Sequence, residues 1–339
     1  MSGAGPRPAP AAAGPEGLAA LAGALRAHPS IRGKRAIAAA TAELGLGAAS
    51  AGQPGDDAAV LPRPGGGYDL LAGEGFIPAF VADDPWFAGW CGVMVNLSDI
   101  AAMGGRAVAL IDQVWAPSAE AAAPMMAGLR AAAEAYGVPV VGGHTNYAGR
   151  ELSLAVSVFG RAEALISGAA ARPGETLIAA VDLRGAYRPS FDNFCAALDV
   201  APERLRADLA LLPELAEAGL VRAGKDISQG GIAGTALMLA ECSGAGIDID
   251  LDALVLPGGT DPERWLRSFP SFGFLLTARP QDAAAVCARF AARDISATVI
   301  GTVTPGSAVT FRSGGAAALF WDHAATPYLG LAPKEPSHA

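Results

Sequence analysis

The chain has 339 residues, 52% of them hydrophobic and 17% charged, which is enough apolar sequence for about two domains with buried cores. The 43 glycines and 25 prolines exceed the average share but stay below the level typical of low-complexity chains. Lysine and arginine total 24 against 33 acidic residues, and a net charge of −9 excludes the basic surface of a nucleic-acid-binding protein. An acidic chain can still bind a nucleotide through metal ions held by carboxylates.

The cysteines and the hydropathy pattern concern the cellular compartment. The four cysteines, Cys91, Cys195, Cys242 and Cys287, form no Cys-x-x-Cys pair, and each lies in an apolar or helical context. We therefore expect buried free thiols in a reducing compartment. No segment reaches about 18 uninterrupted apolar residues, and no basic region precedes an apolar stretch at the start. We expect a cytoplasmic protein without a membrane partner.

The first half of the chain mixes predicted helices and strands. Residues 1–15, a Pro/Ala/Gly tail, are predicted to be disordered, and residues 16–46 to be helical with a break near Pro29. A strand is predicted at Tyr68–Ala72. The clearest helix ends at Gly104–Gly105, and its buried stripe consists of Trp86, Trp90, Val93, Met94, Leu97 and Ala101. The next predicted elements are a strand at Arg106–Val114, a helix at Pro117–Tyr136 capped by Ser118, a strand at Val138–Val141 and an alternating strand at Glu151–Gly160.

The second half has the same mixed character, which predicts an α/β or α+β protein with two domains. We place the domain boundary near Gly168–Gly174. Strands are predicted at Glu175–Val181, Ile247–Leu251, Phe272–Thr277, Ala297–Val303 and Ala308–Phe311, and helices at 202–218, 262–268 and Gln281–Arg293.

Several common catalytic and nucleotide-binding motifs are missing from the sequence. It contains no GxxxxGK[ST] loop, no strand–GxGxxG–helix unit, no GxSxG elbow and no zinc-ligand cluster. What remains is a set of small-residue loops that each carry an acid or another polar group.

Two of these loops carry aspartates. Asp56 and Asp57 follow Gly55 just before an apolar strand, so they either lie in a solvated turn or meet a cation. Asp99 follows Asn96 near the end of the buried helix, where an acid can serve a ligand or only a hydrogen-bonded turn.

The third loop follows the predicted strand 138–141, and the fourth precedes a small-residue helix. Gly143, His144 and Thr145 lie in a GGHTN loop, where the histidine is either a ligand-binding group or a structural one. The KDISQGG stretch, with Asp226, Ser228 and Gly230, precedes a helix whose N-terminus suits an anion, although Ser228 can equally be a plain cap.

Taken together, GDDAAVL, NLSDIAAMGG, GGHT and D-x-S-x-GG-[IL] resemble the AIR synthase (PurM-like) superfamily over residues 50–312. The first two motifs look most like thiamine-monophosphate kinase, and GGHT looks like selenophosphate synthetase. The whole pattern is similar to an uncharacterised AIR synthase-related branch.

The resemblance implies a PurM-like two-domain fold with an N-terminal sheet domain that dimerises (16–166) and a C-terminal α/β domain (167–333). It implies ATP and Mg²⁺ as cofactors, with Asp57, Asp99 and Asp226 as metal ligands and, together with His144, as catalytic residues. The residues that it implies for nucleotide binding are Gly55, Asn96, Gly143, Thr145, Ser228 and Gly230.

The sequence also departs from the kinase pattern. The Ser-Thr-Asp triplet expected before the substrate loop is absent and only Glu74-Gly75 remains, while Ile77 stands where the kinase has a histidine. Gln229 replaces a second aspartate of the C-terminal loop. Residues 181–225, which include Arg184, Arg188 and 191–194, resemble no characterised member, and a substrate contact there is a hypothesis.

These observations predict an ATP- and Mg²⁺-dependent enzyme that transfers the γ-phosphoryl group to an oxygen of a small metabolite, as a kinase or an ATP-dependent ligase or cyclase. The alternative is a catalytically degenerate dimeric protein that binds a nucleotide or metabolite. Retention of three aspartates favours the enzyme, and loss of the triplet and of an acid at Gln229 favours the binding protein.

Overall fold

A computed structural model of the chain describes residues 6–8, 14–46 and 55–331. Two sheets organise the fold, one in each half of the chain. In the first half the elements are β1 (Arg7–Pro8), α1 (Gly14–Ala27), α2 (Pro29–Arg32), α3 (Ile37–Glu43), β2 (Ala59–Pro62), β3 (Tyr68–Gly75), α4 (Pro78–Asp83), α5 (Pro85–Ala102), β4 (Arg106–Trp115), α6 (Ala119–Tyr136), β5 (Val140–Asn146) and β6 (Ser153–Ala162).

The second half contains more and shorter elements. They are β7 (Thr176–Val181), β8 (Ala186–Tyr187), β9 (Asn193–Cys195), α7 (Pro202–Glu217), β10 (Ala223–Asp226), α8 (Gly231–Ser243), β11 (Gly246–Asp250), β12 (Val255–Leu256), α9 (Pro262–Leu266), β13 (Phe269–Pro270), β14 (Gly273–Ala278), α10 (Ala283–Ala291), β15 (Ser296–Thr304), β16 (Ala308–Ser313) and β17 (Ala316–Asp322). Short 3₁₀ turns lie at Gly33–Ala36, Gly168–Ala170 and Leu251–Ala253.

The N-terminal sheet has five strands in the order β2-β3-β6-β4-β5. Its pairs are antiparallel except for β4 and β5, which run parallel and are connected through α6. Leu154, Val156 and Val158 of β6 point into the core against α5, as their alternation with serines predicted. The opposite face of the sheet is open in this single chain, with Leu71, Ile111 and Trp115 between 40% and 47% exposed.

Helix α5 is the centre of the N-terminal core. The predicted one-sided stripe was too narrow, because every residue from Phe87 to Ala102 is buried. Two glycines explain how closely α6 approaches it: a Cβ on Gly128 would lie 1.9 Å from the Trp86 carbonyl oxygen, and one on Gly89 would lie 2.0 Å from that of Met125. The helices therefore contact each other backbone to backbone.

The C-terminal sheet has seven strands in the order β10-β14-β7-β15-β11-β16-β17 and is buried on both faces. Strand β7 shows this directly, since Leu177 and Ala179 pack into one core while Ile178 and Ala180 pack into the other. The first core includes α8, and the second includes α7 and α10. The expected two-domain α/β architecture is confirmed.

The N-terminal helices pack with the C-terminal sheet rather than with the N-terminal one. Leu18, Ala22 and Leu25 of α1 share a core with β11, β16 and β17. The predicted helix break near Pro29 is confirmed, because α1 ends at Ala27 and this proline begins α2. The exact domain limits, 16–166 and 167–333, stay a prediction.

Some elements differ from those predicted. The expected strand 138–141 followed by a GGHTN loop was wrong: β5 runs through that motif to Asn146, paired with β4. Strand β17 was not predicted. Of the tail expected to be disordered, residues 1–5 and 9–13 lie outside the described residues, whereas Arg7–Pro8 pair with β12 and α1 begins at Gly14.

All four thiols are free, with Cys91 and Cys242 buried and Cys195 and Cys287 partly buried. Among the helices of the described residues, none is both long enough and apolar enough to cross a bilayer.

Candidate active site

Five carboxylates from four parts of the chain lie close enough to shift one another's pKa values, and we call them the acidic cluster. They are Asp56, Asp57, Glu74, Asp99 and Asp226. Each lies at the end of an element: the aspartate pair before β2, Glu74 late in β3, Asp99 in the last turn of α5 and Asp226 at the end of β10. The structure thus brings together the three aspartates predicted as metal ligands.

Lys225 is the central cation of the acidic cluster. Its Nζ lies 2.5 Å from Asp57 Oδ1 and 3.9 Å from Asp56 Oδ1, and it donates to the Gly55 carbonyl at 3.2 Å. The three side chains are only 1–6% exposed. Burial alone would disfavour the ammonium, but the two carboxylates outweigh that cost and raise the pKa of Lys225.

The two adjacent aspartates have different partners. Asp56 accepts hydrogen bonds from the Ser167 hydroxyl at 2.5 Å and from the Gly168 amide at 2.9 Å, so it fastens the GDD loop to the start of the C-terminal half. Asp57 Oδ2 accepts from the Asp226 backbone amide at 3.2 Å. Of the two sequence alternatives for this pair, the structure shows contact with a cation, and that cation is Lys225.

The carboxyl groups of Asp99 and Asp226 both have raised pKa values in the cluster. Burial, followed by the charges of Asp226, Glu74 and Asp57, raises the pKa of Asp99 well above its usual value. Burial and the charge of Asp57 raise the pKa of Asp226 to about 8, although Lys225 and Lys34 oppose the shift. Within the described residues, Asp226 Oδ2 is buried and accepts no hydrogen bond. A cation beside these carboxylates would relieve both effects.

Asn96 lies one helical turn before Asp99. Its Nδ2 donates to the Gly92 carbonyl at 2.8 Å, and its fully buried Oδ1 has no hydrogen-bond partner in the part of the chain that the structure describes. A buried polar atom without a partner costs free energy unless a ligand or water satisfies it. If Asn96 contacts a ligand, as the sequence predicts, Oδ1 is the atom that is available for that contact.

Lys34 approaches the cluster from the 3₁₀ turn Gly33–Ala36. Its Nζ donates to Ser228 Oγ at 3.2 Å. Burial lowers its pKa, and the charges of Asp226 and Glu74 oppose that shift. Burial raises the pKa of Glu74, which Lys34 counteracts. Lys34 and Glu74 therefore face each other at the edge of the cluster.

The D-x-S-x-GG loop turns sharply into α8. Gly230 and Gly231 have φ values of 99° and 64°, which favour glycine. A Cβ on Gly231 would also lie 2.5 Å from backbone atoms of Arg267. Ser228 does not cap the helix, because the cap position is Gly230 and has no side-chain hydrogen bond. The hydroxyl of Ser228 thus stays beside Lys34, at the N-terminal end of a 13-residue helix.

The GGHT motif lies apart from the acidic cluster within one chain. Gly143, His144 and Thr145 are exposed on the edge strand β5, and register places His144 opposite Gln113 of β4. By that register His144 shares the open sheet face with Ile111 and Trp115. His144 is not among the charged groups that act on Asp99 or Asp226.

A cavity of about 700 Å³ adjoins the acidic cluster, and Lys34, Glu74 and Ser228 line it at that end. Another wall of the cavity is formed by residues 190–195, which belong to the segment 181–225 that resembles no characterised family member. This wall contacts α4, since the ring centres of Phe191 and Phe80 lie 5.2 Å apart. Arg184, also singled out in that segment, lies elsewhere and pairs with Asp182 at 2.9 Å.

Sequence reasoning missed the lysines of the site. The chain has only three lysines, and Lys34 and Lys225 both reach the acidic cluster. Because lysine is so scarce in this arginine-rich chain, its three positions were a usable signal. Asp56 and Glu74 were noticed but not assigned to the site.

The carboxylates of the acidic cluster suit one mode of divalent-cation binding and not another. In the described part of the chain, no three acidic, histidine or cysteine side chains converge closely enough to enclose a metal by themselves. Mg²⁺, however, uses one or two carboxylates together with waters and substrate phosphates rather than an all-protein cage. The oxygen-only donors, the unpartnered Asp226 Oδ2 and the raised pKa values of Asp99 and Asp226 fit that mode of binding.

Comparison with known proteins places the chain in a family. Residues 55–162 match the N-terminal domain of AIR synthase related proteins, and residues 189–313 match their C-terminal domain. The chain belongs to the AIR synthase related family. Lys34 lies outside both matched ranges.

Relatives of known sequence include both uncharacterised and named proteins. The uncharacterised protein sll0787 of Synechocystis is 46% identical over 82% of this chain and 86% of its own length. The selenide, water dikinase of Geobacter metallireducens is 34% identical over 61% of this chain and 62% of its own length.

Among solved structures, T. maritima PurL complexed with ATP superposes with a TM-score of 0.71 at 18% identity. The match covers 93% of this chain and 52% of PurL, so the chain spans about half the length of that protein. At this identity the likeness shows a shared fold, and it confirms the PurM-like fold expected from the sequence.

Proposed function

We propose that this protein is an ATP- and Mg²⁺-dependent enzyme that transfers the γ-phosphoryl group of ATP to an oxygen of a small metabolite, as a kinase or as a ligase or cyclase. The observation that carries the proposal is the excess of buried carboxyl groups over cations: five carboxyl groups meet two lysines, and Asp226 Oδ2 has no hydrogen-bond partner among the described residues. The fold shared with T. maritima PurL complexed with ATP and the similarity to a selenide, water dikinase support it.

Asp57, Asp99 and Asp226 would hold Mg²⁺ with one or two carboxylates to an ion, completed by waters and the ATP phosphates, and the metal would supply charge neutralisation for those phosphates. Lys225 opposes the rise that burial causes in the pKa of Asp56, and its contacts with Asp56 and Asp57 fix the loop that carries both acids. The proton of Asp226 must leave before it can bind the cation, and its raised pKa makes binding stronger as pH rises towards 8.

The phosphate chain would lie against the N-terminal end of α8, where the first turn of the helix, the Ser228 hydroxyl and the Lys34 ammonium form one polar surface. Gly55, Asn96 and Gly230 are assigned to nucleotide binding in the same place. This surface would bind the phosphates in place of a GxxxxGK[ST] loop, which the sequence does not contain.

The transfer step would run between this surface and the cavity. The bond from the γ-phosphorus to the bridging oxygen breaks, the new bond to the acceptor oxygen forms, and ADP leaves. Glu74 lines the cavity and has a raised pKa, so it would take the acceptor's proton. Lys34 would stabilise the negative charge on the transferred group.

A homodimer through the N-terminal sheet is part of the proposal. The open sheet face carries Leu71, Ile111 and Trp115, which a monomer rarely exposes together. His144 lies on the same face, so a second chain paired there would bring its Gly143, His144 and Thr145 towards the site. These three residues are then assigned to the nucleotide across the interface.

A dimeric nucleotide-binding protein without turnover is the second candidate. Lys225 favours it, because an ammonium already occupies the space between Asp56 and Asp57 where a second cation could bind.

The test measures ATP binding and turnover separately. Calorimetry with Mg²⁺-ATP is followed by ADP release in the presence of a metabolite extract, with Asp99→Asn as the site variant and Asp248→Asn, in strand β11 of the C-terminal sheet, as its isosteric control. We expect extract-dependent ADP release by the wild type and Asp248→Asn, and at least a 100-fold loss in Asp99→Asn. ATP binding without turnover would favour the second candidate, and absence of ATP binding would refute both.

A further inference from the structure

The cavity beside the acidic cluster has one wall built of phenylalanines from both halves of the chain. Phe80 is the centre of this wall: its ring lies 6.2 Å from that of Phe76, 6.1 Å from Phe87 and 5.2 Å from Phe191. The four rings line the cavity. Edge-on and offset aromatic contacts of this kind extend readily to a further ring.

The aromatic wall is held in place from the C-terminal half. Arg188 lies over the Phe87 ring with its guanidinium carbon 4.4 Å from the centroid, and it pairs with Asp84, the residue that caps α5. Phe191, on the same segment, is therefore fixed against α4 and α5. A pocket whose wall is already packed can bind a rigid ligand without first ordering its own side chains.

The part of the cavity away from the metal ligands presents the guanidinium of Arg267, which is paired with Asp192. Asp192 is a single carboxylate between two guanidiniums, with Arg264 Nε 3.0 Å from Oδ1 and Arg267 Nη1 bonded to Oδ2. Arg267 and Asp192 both line the cavity. Arg267 Nε is buried and, among the described residues, has no hydrogen-bond partner, so a donor remains for a ligand.

The other charged groups around the cavity include a second carboxylate, that of Glu263, whose charge acts on His28 in opposition to Arg267. Lys34 and Glu74 form an opposite pair at the end beside the cluster. Burial and the charge of Arg267 lower the pKa of His28, which keeps its imidazole neutral at pH 7. The charges of Arg264 and Arg267 are therefore balanced by Asp192 and Glu263, and the expected preference for an anion rests on Arg267 Nε, the donor without a partner among the described residues.

We propose that the phosphoryl acceptor of this site is a small molecule with an aromatic ring and an anionic group, a carboxylate or a phosphate. The ring lies against the wall formed by Phe80 and Phe191, the anion binds Arg267, and the reacting oxygen points towards Lys34 and Glu74. This inference rests on the proposed function for its statement that the ligand is the acceptor. The ligand class itself rests only on the cavity.

The test uses matched probes and the full chain without ATP. Calorimetry or ligand-observed NMR compares benzoate, phenyl phosphate, benzyl alcohol, benzylamine and acetate. We expect benzoate or phenyl phosphate to bind at least tenfold more tightly than benzyl alcohol, and benzylamine and acetate more weakly still. The first two probes distinguish a carboxylate from a phosphate.

Variants assign the binding to this cavity. Arg267→Gln should remove the tenfold preference for the anion, Arg267→Lys should restore part of it, and the surface variant Arg312→Gln should leave it unchanged. Phe191→Leu should weaken all the aromatic probes at least fivefold while its melting temperature shows that it still folds. Equal binding of charged and neutral rings, or a preference for benzylamine, would overturn the inference.

The outcome separates this inference from the proposed function. If Mg²⁺-ATP binds normally and no aromatic anion binds in an Arg267-dependent manner, the ligand class is wrong and the phosphotransfer proposal stands. If the aromatic anion binds as expected while Mg²⁺-ATP does not bind, the ligand class stands and the phosphotransfer proposal fails.

Discussion

Replacing Lys225 with methionine tests the electrostatic account of the site most directly. The side chains have similar length, so the change removes the ammonium and little else. The wild-type ammonium lies 2.5 Å from Asp57 and 3.9 Å from Asp56, and both carboxylates are at least 94% buried. The variant would leave these two acids without their cation.

The expected cost follows from that burial. Removing one partner of a buried ion pair typically destabilises a protein by about 3–5 kcal/mol, because the remaining charge has no compensation. Unfolding entropy of roughly 2 cal/mol/K per residue implies a fall in melting temperature of about 6 °C for a loss of about 4 kcal/mol in a chain of this length.

The pH dependence gives a second, independent readout. Burial already raises the pKa of Asp56 above its unfolded value and Lys225 lowers it, so removing the lysine raises it further. A carboxyl whose pKa is raised on folding costs stability as pH rises above its unfolded value near 4. The difference between variant and wild type should therefore be small near pH 4 and largest at neutral pH.

Urea unfolding of the wild type, Lys225→Met and the double variant Asp57→Asn/Lys225→Met, at pH 4.5 and pH 7.5, measures these effects. The double variant should recover part of the loss because one buried charge is gone. Mg²⁺ should stabilise Lys225→Met more than the wild type. A loss below about 1 kcal/mol at pH 7.5, or a loss independent of pH, would refute the view that Lys225 compensates these carboxylates.

Three further predictions concern other parts of the molecule. Since the pKa of Asp226 is raised to about 8, wild-type stability without divalent cations should fall between pH 4 and pH 8 by up to about 1.4 kcal/mol per pH unit, and urea titrations of Asp226→Asn should give a flatter profile. Gly128→Ala would force apart two helix backbones that are now in contact, and thermal unfolding should show a loss of stability of at least about 2 kcal/mol. Gly23 is also helical, but there is room for a Cβ at this position, so the control variant Gly23→Ala should be neutral or stabilising by up to about 1 kcal/mol. Trp115→Glu on the open sheet face should produce folded monomers in sedimentation experiments, and an unchanged oligomeric state would contradict the proposed dimer.

Local sequence patterns were sufficient for most of the secondary structure. The alternation of β6 and the glycine stop of α5 come from short-range periodicity and backbone preferences, which the sequence displays directly. The strand through GGHTN was missed because β5 is an edge strand of small and polar residues, held by pairing with β4 rather than by an apolar pattern. Likewise, nothing local could assign α1 to the C-terminal core, since its apolar face fits either half of the chain.

The amino-acid sequence by itself determined the residue types and the motif order: the acids in small-residue loops, the absence of a GxxxxGK[ST] loop and the family resemblance. Only the tertiary structure decided how these charges are balanced. Lys34 is separated by 191 residues from Lys225 along the chain, yet both reach the same carboxylates, because β10 and the turn after α2 meet beside the end of α5. Burial then converts that proximity into shifted pKa values, and burial depends on packing between distant elements that no local pattern records.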